Sequence, residues 1–75
     1  MFAYILVSLR EAHERGVLDD FLGFESVVEG HILFGEWDLI LKLKGSDADD
    51  IATFIMENIR SHDDVRLTST LIVAK

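Results

Sequence analysis

Residues 2 to 7, Phe-Ala-Tyr-Ile-Leu-Val, are apolar at every position and rich in aromatic and β-branched types, which predicts a strand covered on both faces. From about Ala12 to Leu22 the period changes: Val17, Leu18, Phe21 and Leu22 recur at helical spacing, and Glu14, Arg15, Asp19 and Asp20 take the other side. That pattern predicts an amphipathic helix. Its start is open, because Ser8-Leu-Arg-Glu11 has the form of a capping box and Gly16 weakens the first turn. Gly23 is a natural stop. Val27 to Phe34 and Asp38 to Lys44 are two strand-like runs separated only by Gly35, Glu36 and Trp37, a connection short enough to demand an antiparallel hairpin. After Gly45, Ser46-Asp-Ala-Asp49 forms a second capping box, and Ile51, Phe54, Ile55 and Ile59 at i, i+3, i+4 and i+8 carry a helix to about Arg60. Asp47, Asp49 and Asp50 in its first turn and Arg60 in its last agree with the helix dipole. Ser61 to Asp64 reads as a polar loop. Val65 to Val73 is the last strand, with Leu67, Leu71 and Val73 on one face and Thr68, Thr70 and Ile72 on the other.

The order βαββαβ is the split βαβ pattern of an α+β ferredoxin-like sandwich, in which two helices cover one face of a four-stranded antiparallel sheet. The second sheet face is left over. A solvated face should read polar, yet strand one has no polar side, and strands three and four still offer Ile40 and Ile72 on their less apolar sides. The expected cover is another copy of the chain, giving a sheet-to-sheet homodimer.

Size sharpens this expectation. Seventy-five residues make one small domain, residues 1–75, with 49% hydrophobic and 28% charged residues. A chain this short buries only about 60% of the surface its unfolded form exposes and usually needs a disulfide, a metal or a partner. Cysteine is absent, which removes disulfides and thiolate metal sites, so association is the expected source of added stability. The formal charge is −7, and the four Arg and three Lys are scattered along the sequence, which disfavours direct binding to nucleic acid. Neither a bilayer-spanning run nor a signal peptide is legible, and the expected setting is cytoplasmic, away from membranes. Proline-rich linkers, low-complexity segments and short repeats are not found.

Beyond the fold, strand one as Ala3-Tyr-Ile-Leu-Val7, the hairpin Phe34-Gly-Glu-Trp-Asp-Leu-Ile-Leu-Lys42 and the end Val65-Arg-Leu-Thr-Ser-Thr-Leu-Ile-Val73 resemble one family. It is the effector-binding domain of the leucine-responsive regulatory protein/AsnC (Lrp/AsnC) transcriptional regulators, also called RAM, for regulation of amino acid metabolism. The resemblance covers essentially the whole chain and rests on G-x-aromatic-D-L in the hairpin together with T-x-T in the last strand. Full-length members carry a helix-turn-helix domain before this one. The chain starts at strand one, so the resemblance implies a stand-alone RAM protein, a ligand sensor without its own DNA reader. The family often has Gly just after strand one, where this sequence has Glu11-Ala12-His13.

Candidate binding groups fall in two places. A Gly-Glu dipeptide at the centre of a two-residue hairpin suits a type II′ turn. Gly35, Glu36 and Trp37 could then offer N–H donors to a carboxylate, and Asp38 an acceptor to an ammonium group. On the residues alone, Asp38 as a turn cap explains the same pattern. Thr68 and Thr70, two residues apart on one face, could bind one polar group, with Ser69 as a weaker neighbour, or could simply serve as good strand formers. The resemblance implies the ligand reading for both places. Trp37 could cover a ligand, pack across an interface, or sit half-buried beside the turn. Of the histidines, only His31 lies in a strand, with Glu29 on its face; His13 and His62 read as solvated surface groups, and no metal is expected. No nucleophile setting, dinucleotide fingerprint or phosphate loop is present, so no cofactor and no catalysis are expected.

The first functional expectation is an amino acid sensor that forms dimers and higher oligomers. That its site lies between dimers is implied by the resemblance. The alternative is a small dimeric ferredoxin-like enzyme of the cofactor-free monooxygenase or isomerase type, which would need a titratable cluster in the monomer's own cavity. A third possibility, compatible with the first, is co-assembly with full-length Lrp/AsnC-family regulators.

Overall fold

The computed structural model describes residues 1–75. The chain runs β1 (Phe2–Leu9), α1 (Glu14–Leu22), β2 (Val27–Ile32), β3 (Leu39–Lys44), α2 (Ala48–Phe54) continued by a π turn (Ile55–Ile59), and β4 (Val65–Ile72). The four strands form one antiparallel sheet in the order β2-β3-β1-β4, the ferredoxin-like sandwich expected from the pattern. Ala3, Ile5 and Val7 of β1 and Leu39, Leu41 and Leu43 of β3 alternate onto one face, where Val17, Leu18 and Phe21 of α1 and Ile51, Ile55 and Ile59 complete the core. No helix is long and apolar enough to cross a membrane.

Helix starts differ from the capping patterns read in the sequence. Ser8 belongs to β1, α1 begins at Glu14, and the side chain of its cap residue His13 does not bond the helix N-terminus. The second box forms one residue late: Asp47 Oδ1 accepts the Asp50 N–H at 2.8 Å, while Asp50 Oδ2 accepts from the Ser46 N–H at 2.9 Å. The helix predicted to Arg60 loses α geometry at Ile55, where the Arg60 N–H instead donates to the Ile55 carbonyl at 2.8 Å. Side chains also bond carbonyls around this turn. The Asn58 amide donates to the Phe54 carbonyl at 3.3 Å and the Ser61 hydroxyl to the Glu57 carbonyl at 2.6 Å, so acceptors of the α pattern are taken by side chains.

Single inserted residues also set the faces of the two edge strands. In β4, Val65 pairs with Leu9 but Leu67 pairs with Ser8, which makes Arg66 the extra residue of a bulge. A one-residue shift flips every following side chain to the other face. Ile72, expected on the uncovered face, is therefore opposite Ala3 on the helix side, and Leu67 and Leu71 stand on the open face opposite Ser8 and Tyr4. Val28 is the corresponding extra residue in β2, between Val27 opposite Leu43 and Glu29 opposite Lys42. Gly30 gives α1 close access to this strand: a Cβ there would lie 2.7 Å from both Leu18 Cδ1 and Leu41 Cδ2, so the ends of both leucines would have to move.

Candidate ligand-binding surface

The β2–β3 connection is longer than a two-residue type II′ turn. Its last closing bond runs from the Leu33 N–H to the Asp38 carbonyl at 2.8 Å, leaving Phe34 to Trp37 as the loop. Asp38 marks where the strands separate, because its N–H and its side chain are both turned to β1 while only its carbonyl still faces β2. Its N–H donates to the Val7 carbonyl at 2.9 Å and its Oδ2 accepts the Leu9 N–H at 2.7 Å. Asp38 is thus a clasp between strands rather than a cap on its own turn, and Oδ1 has no partner within the chain. Gly35 has a φ of +157, the one positive φ of the chain, with no atom near its missing Cβ. Phe34, Gly35 and Glu36 are exposed, Phe34 completely so, and Trp37 is half-buried.

Thr68 and Thr70 lie opposite Val7 and Ile5 on the helix side of the sheet and line a groove of about 770 Å³ between α2 and edge strand β4. Ile51, Ile55 and Met56 supply its apolar wall; Arg10, Arg60 and Arg66 also line it. Ser69 pairs with Leu6 and stands on the open face, apart from the two threonines. The chain does not by itself bring the two candidate groups together. Leu39, next to Asp38, pairs with Val7, which pairs in turn with Thr68; β1 therefore stands between the groups, at two strand spacings or roughly 10 Å.

The groove's arginines went unnoticed in the sequence because positions 10, 60 and 66 belong to three different elements or loops, and only the fold gathers them. His62 also departs from its reading as a solvated group. It packs edge-on against Phe21 at 5.3 Å, pairs with Asp20 Oδ2 at 3.1 Å, and its Nδ1 accepts the Asp64 N–H at 3.2 Å. That arrangement ties the α2–β4 loop to α1. His31 pairs with Glu29 at 3.0 Å as its strand position implied, and His13 is exposed, with Asp64 Oδ2 3.7 Å from Nδ1.

The open face carries Phe2, Tyr4 and Leu6 of β1, Ile40 and Lys42 of β3, and Leu67 and Leu71 of β4, by register. Lys42 Nζ sits 4.6 Å above the Phe2 ring. Towards β2 this face becomes polar at Glu29 and His31.

Such a sandwich, with an exposed glycine-bearing loop and a hydroxyl-lined groove, is a small α+β domain with two candidate ligand surfaces. Comparison with known proteins makes the class particular: a family model described as the Lrp/AsnC ligand binding domain matches residues 2–75, and the chain belongs to that family. An HTH-type transcriptional regulator of Pyrococcus abyssi is 32% identical over 59 residues, 79% of this chain. The chain spans 39% of that relative's length. The crystal structure of FFRP-DM1 matches with a TM-score of 0.91 and 35% identity, covering 96% of both chains. A transcriptional regulator of Neisseria meningitidis, solved as a complex with L-Met, matches with a TM-score of 0.82 and 27% identity over 99% of this chain and 49% of the other.

Proposed function

We propose that the chain is an amino acid-sensing module that acts as a sheet-to-sheet dimer, assembles into higher oligomers, and modulates transcription of amino acid metabolism without reading DNA itself. The carrying observation is the separation of the two candidate groups within one chain. The loop Gly35–Asp38 projects at the hairpin tip, while Thr68 and Thr70 open into a groove beyond β1, so a site using both needs two copies. In this reading one copy offers the loop's N–H groups and Asp38 Oδ1, and another offers the two hydroxyls; Trp37 closes over the ligand and Ser69 belongs to the dimer face. The L-Met complex of the Neisseria regulator supports an amino acid as ligand. The same assembly surfaces allow co-assembly with full-length regulators of the family in the cytoplasm.

The family match favours this reading over a small enzyme, whose chemistry would have to reside in the monomer's groove. A thermal-shift screen of the twenty amino acids, read together with mass by light scattering, tests ligand and assembly at once. A ligand that raises Tm and changes the oligomer is the expected result; a monomer that responds to none of the twenty would sink the proposal.

A further inference from the structure

Three of the chain's four arginines, Arg10, Arg60 and Arg66, line the α2–β4 groove. None of the four is in an ion pair, although acidic residues outnumber basic ones fourteen to seven; the chain's ion pairs use His13, His31, His62 and Lys44. Arg66 donates to the Ser8 hydroxyl at 3.0 Å, on the face opposite Thr68 and Thr70, which leaves Arg10 and Arg60 as the arginines free to meet a ligand beside the two threonines. Asp49 is the single carboxylate among the lining residues. A locally cationic wall on an anionic molecule is an attractor for small anions.

Both walls of the groove also depart from regular structure, the helix from Ile55 onward and β4 at Arg66. Arg60 closes the π turn by donating to Ile55, and Arg66 is the extra residue of the β4 bulge. Each is a one-residue insertion, a device that re-aims side chains and recurs beside functional sites. Between the arginines lie an apolar wall and two hydroxyls, in a volume within the range of small-molecule sites.

We propose that this groove selects a short dicarboxylate: one acid group is held by Thr68 and Thr70, the second by Arg10 and Arg60, and the connecting methylenes lie along Ile55 and Met56. This rests on the reading of Thr68 and Thr70 as ligand contacts and narrows the ligand class to acidic amino acids or their amine-free counterparts. A guanidinium binds a carboxylate through paired, charge-assisted hydrogen bonds that an amide cannot supply.

Calorimetric titration of the full chain with L-aspartate, L-glutamate, succinate and 2-oxoglutarate, against L-asparagine, L-glutamine and L-leucine, is the test. The expected result is a preference of about tenfold or more for an acid over its amide. That preference should collapse in Arg10→Gln and Arg60→Gln, both at exposed positions, and weaken as salt is raised. Binding of succinate or 2-oxoglutarate with the same arginine dependence, but of no amino acid, would uphold the groove assignment and remove the amino acid-sensing reading. A neutral amino acid bound more tightly than the acids, with affinity unchanged in both arginine variants, would overturn the dicarboxylate and leave sensing intact. Failure of every acid to bind would also overturn it.

Discussion

At the scale of single residues, Asp38 joins a structural duty to the proposed ligand contact, and the two can be separated by choice of substitution. Asp38 Oδ2 accepts the N–H of buried Leu9. Asp38→Ala orphans that donor and should lower stability by roughly 1–3 kcal/mol. Asp38→Asn keeps an acceptor oxygen and should leave the denaturant midpoint nearly unchanged. If Asp38 meets the ligand's ammonium group, Asp38→Asn should nevertheless cost about 2 kcal/mol or more of binding, roughly thirtyfold in affinity. Thr70→Val keeps volume and strand preference and should cost about 1 kcal/mol of binding. Calorimetry and denaturant titration on the same samples decide this: equal affinity in Asp38→Asn, Thr70→Val and the parent chain would remove both residues from the site.

At the scale of elements, α1 packs tightly over the sheet at position 30, where the ends of Leu18 and Leu41 fill the space a Cβ would take. Gly30→Ala pushes its new methyl against the ends of Leu18 and Leu41 and should cost about 1 kcal/mol through overpacking. In a Leu18→Ala background the same change should cost much less, a coupling that a double-mutant cycle on denaturant midpoints detects; an unchanged penalty would place the strain elsewhere. The elements themselves were legible in the chain because period 2 and period 3.6 are written over six or more residues at a time, as in Leu39–Lys44 and Ile51–Ile59. The faces beyond a bulge were not, since one inserted residue inverts them and Arg66 is no glycine that would announce it. Gly35 to Asp38 stood out by residue type, but that Asp38 reaches across to Leu9, 29 positions away, is information held only by the folded sheet. The gathering of Arg10, Arg60 and Arg66 was hidden for the same reason.

At the scale of the whole molecule, charge and the open sheet face set the behaviour in solution. With a net charge of −7 the 75-residue chain should show no specific DNA binding in a gel-shift titration near physiological salt; nanomolar affinity for a defined sequence would contradict a sensor that does not itself read DNA. The open face leads to the more searching expectation. Leu67 and Leu71 are each about half exposed, at 51% and 52%, beside Tyr4 and Leu6 in the middle of a sheet whose other face is already filled. A two-fold interface across this surface would count every buried side chain twice. Covering one leucine contributes roughly 1.5–3 kcal/mol when burial is complete, so Leu71→Lys, which also places two like charges together, should weaken the dimer by at least a hundredfold, about 3 kcal/mol. The parent chain should sediment as a dimer or larger at micromolar concentration, with a Tm that rises with protein concentration. Leu71→Lys should shift the chain towards monomer, lower Tm and lose much of that concentration dependence, because a small core is then left to hold alone. Thr70→Val, on the opposite face, should leave the monomer–dimer equilibrium of the ligand-free chain unchanged. A parent chain that remains a folded monomer at these concentrations would show that the exposed leucines are tolerated in water and would remove the sheet-to-sheet dimer.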